Sequence, residues 1–114
     1  MNWYIAKVIF QISSGTATTQ FDEHLRLIQA DDLEEAMLKA RMLGITEEDQ
    51  FLNEQHHLVK WEFVNVPDVW PLAELSNGIE VHSVVHETNE GARYIREVHQ
   101  RASSLQSKLT IHSR

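Results

Sequence analysis

The chain predicts an α+β domain in the order ββαββα: a mainly antiparallel four-stranded sheet with two helices packed on one face. Three observations predict it. Four segments alternate apolar and polar residues with the period of a strand, and two stretches repeat apolar residues every three or four positions. The two periods also succeed one another twice along the chain in the same order.

The first strand is WYIAKVIFQI, Trp3 to Ile12, rich in aromatic and β-branched residues. Tyr4, Ala6, Val8, Phe10 and Ile12 make its more apolar face, opposite Trp3, Ile5, Lys7, Ile9 and Gln11. The small polar stretch SSGTATTQ turns the chain, so the strand resuming near Thr19 pairs antiparallel with the first. Its apolar residues put Phe21, Glu23, Leu25 and Leu27 inward and Asp22, His24, Arg26 and Ile28 outward.

At Asp31–Asp32 the period changes to that of a helix. Leu33, Ala36, Met37, Ala40 and Leu43 share a stripe, while Glu34, Glu35, Lys39 and Arg41 take the other side. Asp32 caps the free amides of the first turn, and Glu35 three residues later completes a capping box. Gly44 supplies the left-handed residue that ends such helices. Thr46 to Gln50 then reads as the cap of one more helical turn through Phe51 and Leu52.

Leu58 to Val66 is the third strand, with Val59, Trp61 and Phe63 opposite Lys60, Glu62 and Val64. Pro67 removes a ladder donor and ends or bends it. An apolar loop, Val69 to Leu75, follows, and Asn77–Gly78 turns into a fourth strand, Ile79 to Glu87. There Ile79, Val81 and Val85 oppose Glu80, His82, Val84 and His86. Thr88 or Asn89 caps the last helix, which runs to about Leu109 before a frayed tail. Its apolar residues Ala92, Ile95, Val98, Ala102, Leu105 and Leu109 form a narrow stripe like a coiled-coil seam.

With 114 residues the chain is expected to fold as a single domain, its core spanning about 3–87 and its final helix about 89–109. The absence of cysteine excludes disulfides, thiolate metal sites and cysteine nucleophiles, and fits a reducing cytoplasm. Lys7 interrupts the first apolar run and no basic segment precedes it, which argues against a signal peptide, and no run approaches membrane-spanning length. The net charge of −7 disfavours nucleic acid as a partner. From Arg93 onward Arg93, Arg96, Arg101, Lys108 and Arg114 face one acid, Glu97, an excess of four positive charges, so the rest of the chain carries a net charge of −11. That helix either lies against an acidic surface or presents a solvated charged face.

WYIAKVIF, FDEHLRLIQADDLEEAMLKA, VKWEFVNVPDV and NGIEVHSVV, taken together from Trp3 to Val85, resemble a bacterial family catalogued as domain of unknown function 4288. The ordered set Trp3-Tyr4, Lys7, Ala30, Glu35-Ala36, Trp61, Phe63, Val66, Glu80 and Ser83 carries the resemblance. It implies a small stand-alone bacterial cytoplasmic protein and brings no activity, cofactor or catalytic residue with it. The helix after Thr88 lies outside the matched part.

The sheet face away from the helices is the candidate for function. By these parities it carries Trp3, Ile5, Lys7 and Ile9, then His24, Arg26 and Ile28, then Lys60, Glu62 and Val64, and last Glu80, His82, Val84 and His86. A face left to water is more polar than this. Either the Val69–Leu75 loop and cross-strand pairs such as Arg26 with Glu62 or Glu80 cover it, or a partner docks there. The expected role is a non-enzymatic binding or accessory protein, homo-oligomeric (a dimer) or bound to another protein. Trp3, Arg26 and Trp70 would be its anchors. An inhibitor or immunity protein for a basic partner is a variant suggested by size and charge.

The alternative is a small ligand- or metal-binding domain or enzyme with His24, Arg26, Glu62, His82 and His86 around a pocket. His24 with Glu62 or Glu80 would be its acid–base pair. A metal would join His24 to His82 or His86 across strands, with Glu80 or Glu62, since His82 and His86 are about 13 Å apart along a strand. No zinc motif, phosphate loop or nucleophile constellation accompanies these residues, so no catalytic residue, metal or cofactor is expected. Ser83 on the apolar strand face reads as a small core residue.

Overall fold

In the computed structural model β1 (Asn2–Ser13) and β2 (Gln20–Ala30) form a hairpin, followed by α1 (Leu33–Thr46), β3 (Asp49–Leu52), β4 (Leu58–Leu72) and α2 (Gly91–His112). Residues 1–15 and 18–112 are described, with side chains through Leu109, so part of the first loop and the end of the tail expected to fray lie outside the described residues. The class and the order ββαββα are as predicted. The four strands form one antiparallel sheet in the order β2-β1-β4-β3.

Two of the strands are not where alternation placed them. Asp49–Leu52, read as a helical turn, is an edge strand joined to β4 by a short hairpin. There the Asn53 carboxamide oxygen accepts from the Gln55 and His57 amides at 3.0 Å each, and His56 takes φ 62°. The segment 79–87, read as the fourth strand, has no regular structure. Instead β4 runs through Pro67 to Leu72. Against β1 its register shifts between Lys7 and Ile9 and again between Ile9 and Phe10, so Val64 and the Val66–Pro67 pair sit in bulges. A bulge is where a strand tolerates a residue with no amide hydrogen.

The chain divides into two compact units, 1–83 and 84–114. In the first, α1 packs on one face of the sheet. Tyr4, Ala6, Val8 and Phe10 of β1 meet Ile28 and Ala30 of β2, Ala36 and Ala40 of α1, and Val66 of β4 in one buried cluster. Trp61 and Phe63 pack at its margin, with Phe10 ring centroids 6.0 and 6.2 Å from theirs.

The cap of α1 is as predicted, with the Asp32 carboxylate accepting from the Glu35 amide at 2.8 Å. The reciprocal reach of Glu35 goes one residue further back, to the Asp31 amide at 3.5 Å. Gly44 does not end the helix, which continues to Thr46. Gly44 is buried against Phe63, and with Ala36 and Ala40 it gives α1 a stripe of small residues four apart. Small side chains let the helix axis approach the sheet closely. Leu33, expected in that stripe, is 52% exposed.

The second unit contains α2. Thr88 Oγ1 accepts from the Glu90 amide at 3.0 Å ahead of its first turn, and Arg93 bridges Glu90 and Glu97. Every described side chain of α2 is exposed. Of the two helices expected on one sheet face, α1 is found there.

Candidate functional site

Strand register decides which face each candidate occupies. In an antiparallel pair, residues directly opposite share a face. Tyr4 faces Ile28, Ala6 faces Arg26, Val8 faces His24 and Phe10 faces Asp22. Since the Tyr4–Phe10 set lies under α1, so do Arg26 and His24. The inward and outward sets expected of β2 are therefore reversed. The cause is at the strand's end, where Ile28 and Ala30 are buried as the chain turns into α1, and period two then fixes every residue upstream.

Under α1 the polar residues of β2 satisfy one another. Arg26 donates in a two-pronged bond to Glu47, just past the helix, at 2.8 and 2.7 Å. Its Nη1 also faces His24 Nδ1 at 3.3 Å, and His24 Nε2 meets Asp22 at 2.7 Å. A guanidinium only donates, so Nδ1 is the acceptor and Nε2–H donates to Asp22. Both ring nitrogens are thus engaged, and His24 is a link in a chain of bonds rather than a free base. The Arg26 hydrogen bonds hold the Glu47 carboxyl below its ordinary range against the opposing effect of burial, with the Arg26 charge adding to it. The same hydrogen bonds raise the Arg26 guanidinium.

The opposite face carries Trp3, Ile5, Lys7 and Ile9 of β1, as predicted. It gains Phe21, Glu23, Leu25 and Leu27 of β2, the residues expected in the core. Register adds Glu62, Asn65, Asp68, Trp70 and Leu72 from β4. Ile5 is buried between Leu27 and Trp70, and Leu72 is buried beside Trp3. Phe21, Leu25, Leu27 and Val64 are exposed by 61, 57, 50 and 49%. Lys7 stands among them, half-buried, with Leu25 on one side and Asp68 on the other.

His82 stacks on Trp70 with ring centroids 3.8 Å apart, so the segment after β4 returns over one corner of this face. Glu80 lies in the same irregular segment and is exposed. His86 belongs to the second unit, where its ring lies 6.1 Å from Tyr94. The nine candidates therefore separate. Trp3, Lys7, Glu62, Trp70 and His82 go with the open face, His24 and Arg26 lie beneath α1, and Glu80 and His86 join neither group. His24 lies beneath α1 and Glu62 and His82 on the opposite face, so His24 meets neither as the acid–base and metal schemes required. Among the described residues no three His, Asp or Glu side chains converge as metal ligands would.

The missed contributors are Phe21, Leu25 and Leu27, and the signal for them lay in Ile28 and Ala30 next to the helix. A concavity lined by Glu48, Asp49, Gln50, Lys60, Trp61 and Glu62, with about 440 Å³ of space, lies along β3. It is shallow, and Glu48 is already occupied as acceptor for the Phe63 amide at 3.0 Å.

The first unit is thus a small α+β domain with one helix-covered sheet face and one largely uncovered apolar face. A family model described as Domain of unknown function (DUF4288) matches residues 3–83, more than half of the chain and the sheet apart from Asn2. The protein belongs to this family. No curated protein and no solved structure matches the chain. No helix among the described residues is long and apolar enough to cross a membrane.

Proposed function

We propose that the protein is a non-enzymatic binding protein of the cytoplasm that associates with a second copy of itself through the open sheet face. The observation that carries this is the exposure of Phe21, Leu25 and Leu27 on one side of one sheet. Scattered apolar residues on a surface need no explanation, but a contiguous group framed by charges marks a contact site.

The face suits its own copy in size and charge. Three strands about 4.8 Å apart and about 35 Å long present on the order of 500 Å² per copy. Two copies then bury about 1,000 Å², the lower bound for a specific interface. Lys7 near the middle and Glu23 and Glu62 to either side provide both signs, so a twofold arrangement can set each lysine against a partner acid. Sheets stacked this way pack about 10 Å apart with their strands close to aligned. The Trp70–His82 stack occupies one corner of the face, so the contact centres on the Phe21–Leu27 side.

Light scattering coupled to size exclusion tests this from micromolar to several hundred micromolar. A mass of two or more copies whose association is weakened by Leu25→Arg supports the contact. A single-copy mass over the whole range, with the wild-type chain folded, refutes it.

A further inference from the structure

We infer that α2 is a second self-association element, which pairs in parallel with the α2 of another copy. Ile95, Val98, Ala102, Leu105 and Leu109 recur at alternating spacings of three and four, the a and d positions of a heptad. All five are exposed; Ile95, Leu105 and Leu109 keep 56, 58 and 59% of their surface. Helices in proteins owe most of their stability to packing of an apolar face. With three serines and two β-branched residues between Ile95 and Leu109, the α2 sequence is not itself a strong helix former. A covered seam would supply what propensity does not.

The residues flanking the seam select the number and direction of partners. Tyr94, Arg101 and Lys108 each precede an a position, and His99 and Gln106 each follow a d position. Larger bundles need apolar residues at these flanks as well, so a seam two positions wide fits one neighbouring helix. In a parallel pair the residue before a meets the residue after d of the next heptad. Arg101 then faces the partner's Gln106, and Tyr94 faces the partner's His99, with no like charges opposed. An antiparallel pair centred on this seam sets Arg101 against its own copy, a repulsion without compensation. The Arg93 pairs with Glu90 and Glu97 lie outside the seam and are compatible with either direction.

The chain contains no cysteine, so single-cysteine variants report the pairing directly. Val98→Cys and Leu105→Cys place one thiol each at d, where parallel partners bring identical positions within disulfide reach. Gln100→Cys on the outer side of the helix is the control. In a glutathione redox buffer, each seam variant of the full chain is expected to cross-link about tenfold more than the control. Equal cross-linking of all three, or of none, overturns the pairing. Cross-linking confined to a mixture of the Val98→Cys and Leu105→Cys chains shows opposed helices and overturns the parallel arrangement. Repeating the series with Leu25→Arg separates the two contacts. Cross-links that persist there belong to α2 alone, and cross-links that vanish show that the thiols met only because the sheet faces had docked, which overturns an independent α2 pair.

Discussion

Replacing Gly44 by alanine probes how closely α1 lies on the sheet. A Cβ at this position would enter the van der Waals shell of Phe63, 2.5 Å from Cε1 and 3.0 Å from Cγ. Because Cγ lies on the axis about which the ring spins, rotation carries Cε1 away but leaves the Cγ contact in place. The ring must swing at χ1, away from Phe10, or the helix must lift off Val66. Overpacking of this kind costs about 1–3 kcal/mol, and contacts this close fall in the upper part of that range, about 2–3 kcal/mol. Alanine regains about 1 kcal/mol of helix propensity over glycine. The expected net loss is about 1–2 kcal/mol, and at roughly 4–8 °C per kcal/mol for a domain of this size Tm falls by about 5–15 °C. Thermal and urea unfolding measure it. In a double-mutant cycle, Phe63→Leu should recover about 1 kcal/mol of the loss in the Gly44→Ala background. An unchanged or raised Tm for Gly44→Ala would refute the close approach and leave Gly44 as an ordinary helix position.

Asp32→Ala removes the acceptor of the Glu35 amide and should cost about 1 kcal/mol, read as a lower urea midpoint at unchanged slope. Glu47→Gln should cost no more than about 1 kcal/mol at pH 7, because both partners of the Arg26 pair keep about a third of their surface in water. With the Glu47 carboxyl held below its unfolded value, this contribution is full above about pH 4.5 and disappears as the pH falls through the lowered value. The Glu47→Gln difference should therefore vanish in acid, and a difference that persists unchanged at pH 2.5 would contradict the assignment. Trp70→Ala takes away the ring that holds His82 and should open the 73–83 segment to limited proteolysis while the sheet stays intact.

Much of the fold was legible because local signals agreed. Alternation from Trp3 to Ile12 gave β1 and its buried face, and Asp32 with Glu35 gave the start of α1. What failed did so for identifiable reasons. Leu25 and Leu27 look like core residues, but the junction at Ala30 fixes the parity of β2, and the polar residues sent inward are reconciled by Arg26 bonding to a residue twenty-one positions later. Pro67 reads as a strand end unless a bulge is foreseen, and a bulge depends on the partner strand. Ile79–Glu87 alternates as well as any strand, but alternation supplies only two faces, and a strand also needs a neighbour's edge to bond with. Asp49–Leu52 is too short for periodicity to speak. The site inherited these errors. Trp3, Lys7 and Glu62 stood on the expected face, Trp70 came from a segment expected to be a loop, and the β2 members changed sides.

The outermost position of β2 gives the ionic chain beneath α1 a meaning apart from stability. An eleven-residue strand at the rim of a sheet is an invitation to any other extended chain. Here the invitation is qualified, because Asp22, His24 and Arg26 project inward along the rim, and an intruding strand would have to seat its own side chains against them in a half-dry setting. Exchanging the trio for valine and isoleucine would leave every ladder bond in place and remove that deterrent. Such a chain, however stable when dilute, should be drawn into fibres in concentrated solution.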